Sequence, residues 1–199
     1  MCMQKSGIHM GFSQGHFAPG THICLVFRDE AERKSIVSRF IEAGIAEQER
    51  VFYFADSAKP GEVRDWLGAL DVDTDTALTG GCLSIDEAAD TYCPDGAFVP
   101  DRMLDTLRSA YTGSREAGYP GSRVSGEMTW ALRGFPGSDR LMQYEAAVNR
   151  VVQSHPITAM CQYDANRFSG STIFRALQVH PYMVMHGQLV KNPYYLEGA

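Results

Sequence analysis

Residues 21–56 read THICLVFRDEAERKSIVSRFIEAGIAEQERVFYFAD, and this stretch decides the fold. The runs His22 to Phe27 and Val51 to Asp56 are almost wholly apolar, as strands are when a parallel sheet is covered on both faces. Between them, from Asp29 to about Glu47, a helix places Ile36, Val37, Phe40, Ile41, Gly44 and Ile45 on one face. Its charged residues Glu32, Arg33, Lys34, Arg39 and Glu42 fall mostly elsewhere. Asp29, with Glu32 three residues on, is a D-x-x-E form of the capping box and fixes the helix start. The unit is strand, helix, strand, and its crossover is expected to be right-handed.

A phosphate site at this point of an α/β fold needs a glycine-rich loop whose backbone N–H groups face the helix N-terminus. Here the connection is Arg28-Asp29-Glu30, without glycine and without a Lys-Ser or Lys-Thr pair. Two carboxylates stand where a phosphate would lie, so the positive end of the helix already has fixed negative charge beside it. The stretch predicts the layout of a nucleotide-binding core without its phosphate loop, and ATP with magnesium is not expected as a cofactor.

Outward from this unit, Met1 to Gly20 carries four glycines before Thr21 besides Pro19, shows little periodicity, and reads as a lead-in arm (1–20) with His9 and His16 exposed. Downstream, Pro60 suits the first helical position, and Val63, Trp66, Leu67 and Leu70 repeat at helical spacing. Asp71 to Gly81 is polar, Cys82 to Ile85 reads as a strand, and Asp86 to Phe98 is less regular. Pro100 opens a helix ending near Gly118, and Arg123 to about Met128 is the next strand. A helix follows over Ser138 to Gln153 with Leu141, Tyr144, Val148 and Val152 inward; Ile157 to Asp164 is a strand. Ser171 to Val179 forms a short helix that His180-Pro181 stops, and Tyr182 to Met185 returns to the sheet, with Met183 and Met185 in the core. Asn192 to Tyr195 reads as an aromatic strap. The fold class is α/β, one open and mostly parallel sheet with helices on both faces.

The chain of 199 residues suits one such domain, placed at 21–195, with a tail at 196–199. A net charge of −6 disfavours a general nucleic-acid surface, and no apolar run approaches the roughly 20 residues that span a bilayer. No charged segment followed by an apolar run marks a signal peptide, so a cytoplasmic location is expected. Five cysteines, scattered and without a C-x-x-C pair, indicate neither a disulfide framework nor a zinc knuckle.

One ordered set of residues carries a family resemblance: Gly20-Thr21-His22-Ile23-Cys24-Leu25, Gly126-Glu127-Met128-Thr129-Trp130-Ala131-Leu132, Cys161-Gln162-Tyr163-Asp164, His180-Pro181 and Asn192-Pro193-Tyr194-Tyr195. In that order they resemble the MEDS domain, the methanogen/methylotroph, DcmR-type sensory domain, over Gly20 to Tyr195. The resemblance implies a RecA/KaiC-like three-layer fold lacking a Walker A loop, and a sensory or signal-relay role joined to an output module. Only Leu196 to Ala199 follow the strap, so an output through a separate signalling protein or through self-association is expected. A RecA-like strand order would set the first strand beside Ile157–Asp164, burying Cys24 and Cys161.

Ligands of open α/β sheets bind beyond the carboxyl ends of the strands. Arg28, Asp29, Asp56, Glu127, Met128, Trp130, Tyr163 and Asp164 fall there, and supply aromatic walls and a few orienting polar groups for a small molecule. Trp130 is expected in or beside that pocket. An equally weighted reading makes Trp130 and Tyr163 core and the carboxylates helix caps. Asp56, Glu127 and Asp164 as an acid/base or magnesium set is disfavoured without a phosphate loop, and no catalytic constellation is recognised. His22 and Cys24 face one way on their strand and, with Cys161 or Met128, suggest a soft metal site; a buried thiol beside a hydrogen-bonded histidine is the simpler reading. The expected function is a sensory domain that binds a small ligand or partner protein, neither of them identifiable from the sequence, and relays a conformational change. The alternatives are a diverged nucleotide-binding enzyme and a ligand-free protein-interaction regulator.

Overall fold

The computed structural model describes residues 7–198. The chain runs β1 (His22–Phe27), α1 (Glu30–Ala46), β2 (Arg50–Ala55), α2 (Pro60–Gly68), α3 (Thr74–Thr79), β3 (Leu83–Glu87), α4 (Ala88–Tyr92), α5 (Pro100–Glu116), β4 (Ser122–Glu127), α6 (Leu141–Ser154), β5 (Ile157–Asp164), α7 (Gly170–Val179), β6 (Tyr182–Met185) and β7 (Gln188–Lys191). Two 3-10 turns, Met128–Arg133 and Ser138–Arg140, join β4 to α6. The strands form one sheet in the order β3-β2-β4-β5-β1-β6-β7, parallel throughout except for the β6–β7 hairpin. The expected mostly parallel α/β sheet is therefore the observed one. No helix among the described residues is long and apolar enough to cross a membrane.

The period of two along each central strand divides the core. On β1, Ile23, Leu25 and Phe27 pack with Phe40, Ile41 and Leu67 of α1 and α2, whereas Cys24 joins Tyr144 and Val148 of α6 and Ala176 of α7 on the other face. β1 lies beside β5 with Cys24 and Cys161 buried, as expected, and the register sets the two cysteines opposite each other.

At the amino edge of the sheet, Arg123 is fully buried. Its guanidinium pairs with Glu49 and donates to the carbonyls of Phe40 at 3.1 Å and His9 at 2.7 Å. Gly44 makes room for it, because a Cβ there would stand 2.7 Å from Val51 and 2.8 Å from the Arg123 side chain. The bond to His9 explains why the lead-in is packed rather than loose: Ile8 bridges Phe17, and Met10 is fully buried. His9 is half-buried, with Nδ1 accepting from the Gly11 N–H at 3.0 Å, while His16 is exposed. The first six residues of the expected arm, Cys2 among them, lie outside the described residues.

Elements the sequence pattern did not mark are short ones. α3 and α4 occupy the polar and irregular stretches, and β7 follows β6 through His186-Gly187, both at positive φ of 50° and 67°. Two successive left-handed residues make the tight hairpin turn that matches strand twist. Met185, expected in the core, is half exposed at 50% because β6 is covered on one face only near this turn.

Candidate functional site

At the carboxyl edge of the sheet the connections after β1, β2 and β4 meet on one carboxylate. Glu127, the last residue of β4, is 1% exposed. Its Oε1 accepts from Tyr53 Oη at 2.7 Å; its Oε2 accepts from the Ser57 N–H at 2.6 Å, Ser57 Oγ at 2.5 Å and the Ala58 N–H at 3.2 Å. Arg33 of α1 completes the set, its Nη1 lying 3.1 Å from Oε2. The guanidinium also reaches Glu30 at 2.8 Å and lies over the rings of Phe27 and Trp66 at 5.0 and 5.2 Å. One side chain thus ties β4, the β2–α2 loop and the first turns of α1 together. A cleft of about 390 Å³ lies over this knot, lined by Glu30, Arg33, Lys34, Ser57, Glu62 and Trp66. Arg33 Nε, buried, has no hydrogen-bond partner. Burial and then Glu127 push the Tyr53 phenol well up, so it is a neutral donor.

Of the other residues expected at this edge, Asp29 caps α1 by accepting from the Ala31 N–H at 3.1 Å, and Arg28 is exposed. Asp164 accepts from the Asn166 N–H at 2.8 Å in a tight turn, and Asn166 reaches back to the Arg28 carbonyl at 2.9 Å. Asp56 pairs with Arg133 at 2.6 Å and accepts from Thr129 Oγ1 at 2.6 Å. Trp130 corrects an expectation: it is fully buried, stacked on Tyr92 with ring centroids 4.8 Å apart and beside Phe98. After β4 the chain does not run on past the edge; the 3-10 turn folds it inward over the α5–α6 layer. Met128 and Tyr163 are fully buried as well. The tryptophan that lines a carboxyl-edge cleft is Trp66.

A second cluster lies inside, beneath α6 and α7. His22 of β1, Glu145 of α6, Cys161 of β5 and His180, just after α7, bring one donor atom each to within 4.8 Å of all the others. Glu145 Oε2 is 3.2 Å from His22 Nε2, 3.3 Å from Cys161 Sγ and 3.5 Å from His180 Nε2; Cys161 Sγ is 3.5 Å from His22 Nε2. His22, Glu145 and His180 are fully buried and Cys161 is 6% exposed. Burial pushes the Glu145 carboxyl up, but His180 and His22 against it outweigh this and hold it below the usual carboxylate range. Burial, with His180 alongside, pulls the His22 imidazole down. Burial and then Glu145 push the thiols of Cys24 and Cys161 and the Tyr163 phenol well up. Cys24, in register with Cys161, is not among the four converging groups.

Comparison with known proteins settles the family. The signature of the methanogen/methylotroph, DcmR sensory domain, abbreviated MEDS, matches residues 21–181. The chain belongs to the MEDS family. Over 160 residues it is 25% identical to the transcriptional repressor DcmR of Methylorubrum extorquens (strain DSM 6343 / CIP 106787 / DM4), covering 80% of this chain and 57% of the repressor's length. The crystal structure of a KaiC-like protein from the hyperthermophilic archaeon Pyrococcus horikoshii OT3 superposes with a TM-score of 0.65 at 14% identity, covering 89% of this chain and 78% of that one. An uncharacterized protein of Pyrococcus horikoshii, solved in complex with an unknown peptide, gives 0.64 at 14% identity, covering 88% and 83%. The fold of this MEDS domain is therefore KaiC-like, and its role is sensory.

Within the MEDS domain, sequence reading reached Glu127 and missed Arg33, Ser57 and Trp66, which face it from other elements. It reached His22 and Cys161 and missed Glu145 and His180. Glu145 did leave a signal, since it sits among Leu141, Tyr144 and Val148 on the inward face of α6. A carboxylate in such a stripe is stable only with partners. His180 was hidden behind its proline, which accounts for the end of α7 but not for a buried imidazole.

Proposed function

We propose that this MEDS domain senses a small organic molecule in the cleft over Glu127 and relays its presence to a separate signalling protein or a second copy of the chain. One observation carries the reading: the carboxylate of Glu127 joins three connections of the sheet edge directly beneath a cleft whose own arginine has an unused donor. Trp66 and Ala31 supply apolar wall, and Arg33 Nε calls for an acceptor oxygen on the ligand. The charges lining the cleft balance, Glu30 and Glu62 against Arg33 and Lys34, with the Glu127 carboxylate buried beneath them, which favours an uncharged ligand over an anion. A ligand that engages Arg33 weakens its hold on Glu127 and frees the β2–α2 loop. Binding then shifts an equilibrium because the two states offer it different contacts.

The proposal is a binding domain rather than an enzyme. Titration of the purified protein with small alcohols, amides and carboxylates, followed by tryptophan emission, tests it. The expected result is a change in emission with an uncharged oxygen-bearing compound that disappears in Trp66→Phe, where only the buried Trp130 remains. A compound that binds and alters Trp130 but not Trp66 would place the site elsewhere.

A second reading, a protein-docking role, draws on Phe174, Tyr194 and Leu196, which are 49–51% exposed, with the rings of Phe174 and Tyr194 6.0 Å apart. It is compatible with the first as the output surface.

A further inference from the structure

The buried cluster beneath α6 and α7 has an imbalance that hydrogen bonding resolves only if an imidazole shut away from water carries a second proton. The Nδ1 atoms of both histidines are committed as donors. His22 Nδ1 faces Asn149 Oδ1 at 3.0 Å, and the amide orientation is set by Asn149 Nδ2 donating to the Val179 carbonyl at 2.7 Å. His180 Nδ1 faces the Ala176 carbonyl, which can only accept, at 2.7 Å. An imidazole with Nδ1 as its one donor presents a bare Nε2 lone pair to Glu145 Oε2, itself an acceptor. Tyr163 Oη donates to Glu145 Oε1 at 2.6 Å, so the carboxylate's other oxygen is already held. His180 Nε2, fully buried, has no hydrogen-bond partner. Two nitrogen lone pairs, one carboxylate oxygen and one sulfur converge on a point with no positive charge at its centre.

We propose that His22 Nε2, His180 Nε2, Cys161 Sγ and Glu145 Oε2 bind one tetrahedral divalent ion, zinc. Zinc takes nitrogen at about 2.0–2.1 Å and sulfur at about 2.3 Å, so tetrahedral donors stand about 3.3–3.6 Å apart. Four of the six separations, at 3.2, 3.3, 3.5 and 3.5 Å, match that, and the two from His180 Nε2 to His22 Nε2 and to Cys161 Sγ lie within 4.8 Å. On binding, Cys161 gives up its proton to solvent. The thiolate and the Glu145 carboxylate then balance the double charge, which a site excluded from water requires. Asn149, the Ala176 carbonyl and Tyr163 act as the outer partners that orient metal ligands. All four coordination positions come from the chain, so the ion is structural: it fastens the end of α7 to α6 and to the two central strands. A surface cleft of about 420 Å³, lined by Met142, Ala146, Arg150, Arg175 and Val179, lies between the same two helices. Glu127, at the far edge, takes no part.

The experiment uses the full chain without a purification tag, stripped with a chelator, loaded with zinc or cobalt(II), and passed through a desalting column. One ion per chain is expected by elemental analysis. The cobalt form should show the intense visible bands of a tetrahedral site with a thiolate-to-cobalt charge-transfer band, which Cys161→Ser removes. Asn149→Ala should weaken zinc about 10–100-fold while the saturated cobalt spectrum stays tetrahedral. A wild-type chain that retains neither ion, a weak octahedral cobalt spectrum, or a charge-transfer band that survives Cys161→Ser would overturn the proposal. The cluster would then be a protonated imidazole paired with Glu145. The wild-type result decides alone if a variant fails to fold, and the Trp66 titration is unaffected by either outcome.

Discussion

Glu127→Ala is the perturbation that the account of the sheet edge constrains most tightly. The substitution removes four hydrogen bonds, to Tyr53, Ser57 twice and Ala58, together with the ion pair to Arg33. Ser57 and the edge of the cleft are open to water, so their donors can be rehydrated. Arg33 cannot be so easily: its side chain is 3% exposed, and its remaining carboxylate, on Glu30, is 62% exposed. Breaking a buried pair by removing one partner costs about 3–5 kcal/mol, which at about 2–4 °C per kcal/mol lowers Tm by roughly 6–20 °C. The double variant Arg33→Met, Glu127→Leu removes both charges and should lose clearly less than Glu127→Ala alone. Thermal unfolding and urea titration of the three proteins provide the comparison. A Tm within about 3 °C of wild type for Glu127→Ala, or a double variant worse than the single one, would show that Glu127 does not hold the edge together.

The protein should bind ATP weakly or not at all with magnesium present, because Asp29 and Glu30 occupy the start of α1 and Arg33 is engaged by Glu30 and Glu127; submicromolar affinity by calorimetry would contradict this. In the native protein Cys24 and Cys161 should resist alkylation while half-buried Cys82 reacts first among the described cysteines, as followed by peptide mass mapping. Fast labelling of Cys24 would mean that the pairing of β1 with β5 is wrong. Gly44→Ala should destabilise by about 1–3 kcal/mol through its contact with Val51 and the Arg123 side chain, measured in urea; an unchanged midpoint would show that Arg123 can move aside.

How much was legible depended on whether a residue's partners were near in sequence or far. The βαβ unit announced itself because six apolar residues of α1 and two apolar strands repeat at their own periods, and the β1–β5 pairing followed from the family order. Asp29 and Asp164 proved to be a cap and a turn former, roles settled within two residues, whereas Asp56 pairs with Arg133 and Thr129 of the distant 3-10 turn after β4. Glu127 had a different fate because Tyr53, Ser57 and Arg33 arrive from other connections of the sheet, a convergence no local pattern encodes. Trp130 misled for a related reason: position at a strand end suggested a pocket, but a 3-10 turn folds it into the aromatic group of Tyr92 and Phe98. The β6–β7 hairpin escaped notice because its turn is His186-Gly187 and not the usual Asn-Gly or Asp-Gly.

The relay itself is tested most directly by amide hydrogen exchange at Ser57 and Ala58, whose N–H groups both end on Glu127. The measurement is made with and without the compound that alters Trp66 emission. If that compound draws Arg33 away from Glu127, exchange at both amides speeds up while the buried strands β1 and β5 stay as protected as before. Unchanged or slower exchange at Ser57 and Ala58 with the cleft occupied would contradict the account: the ligand would bind, and the latch beneath it would not respond.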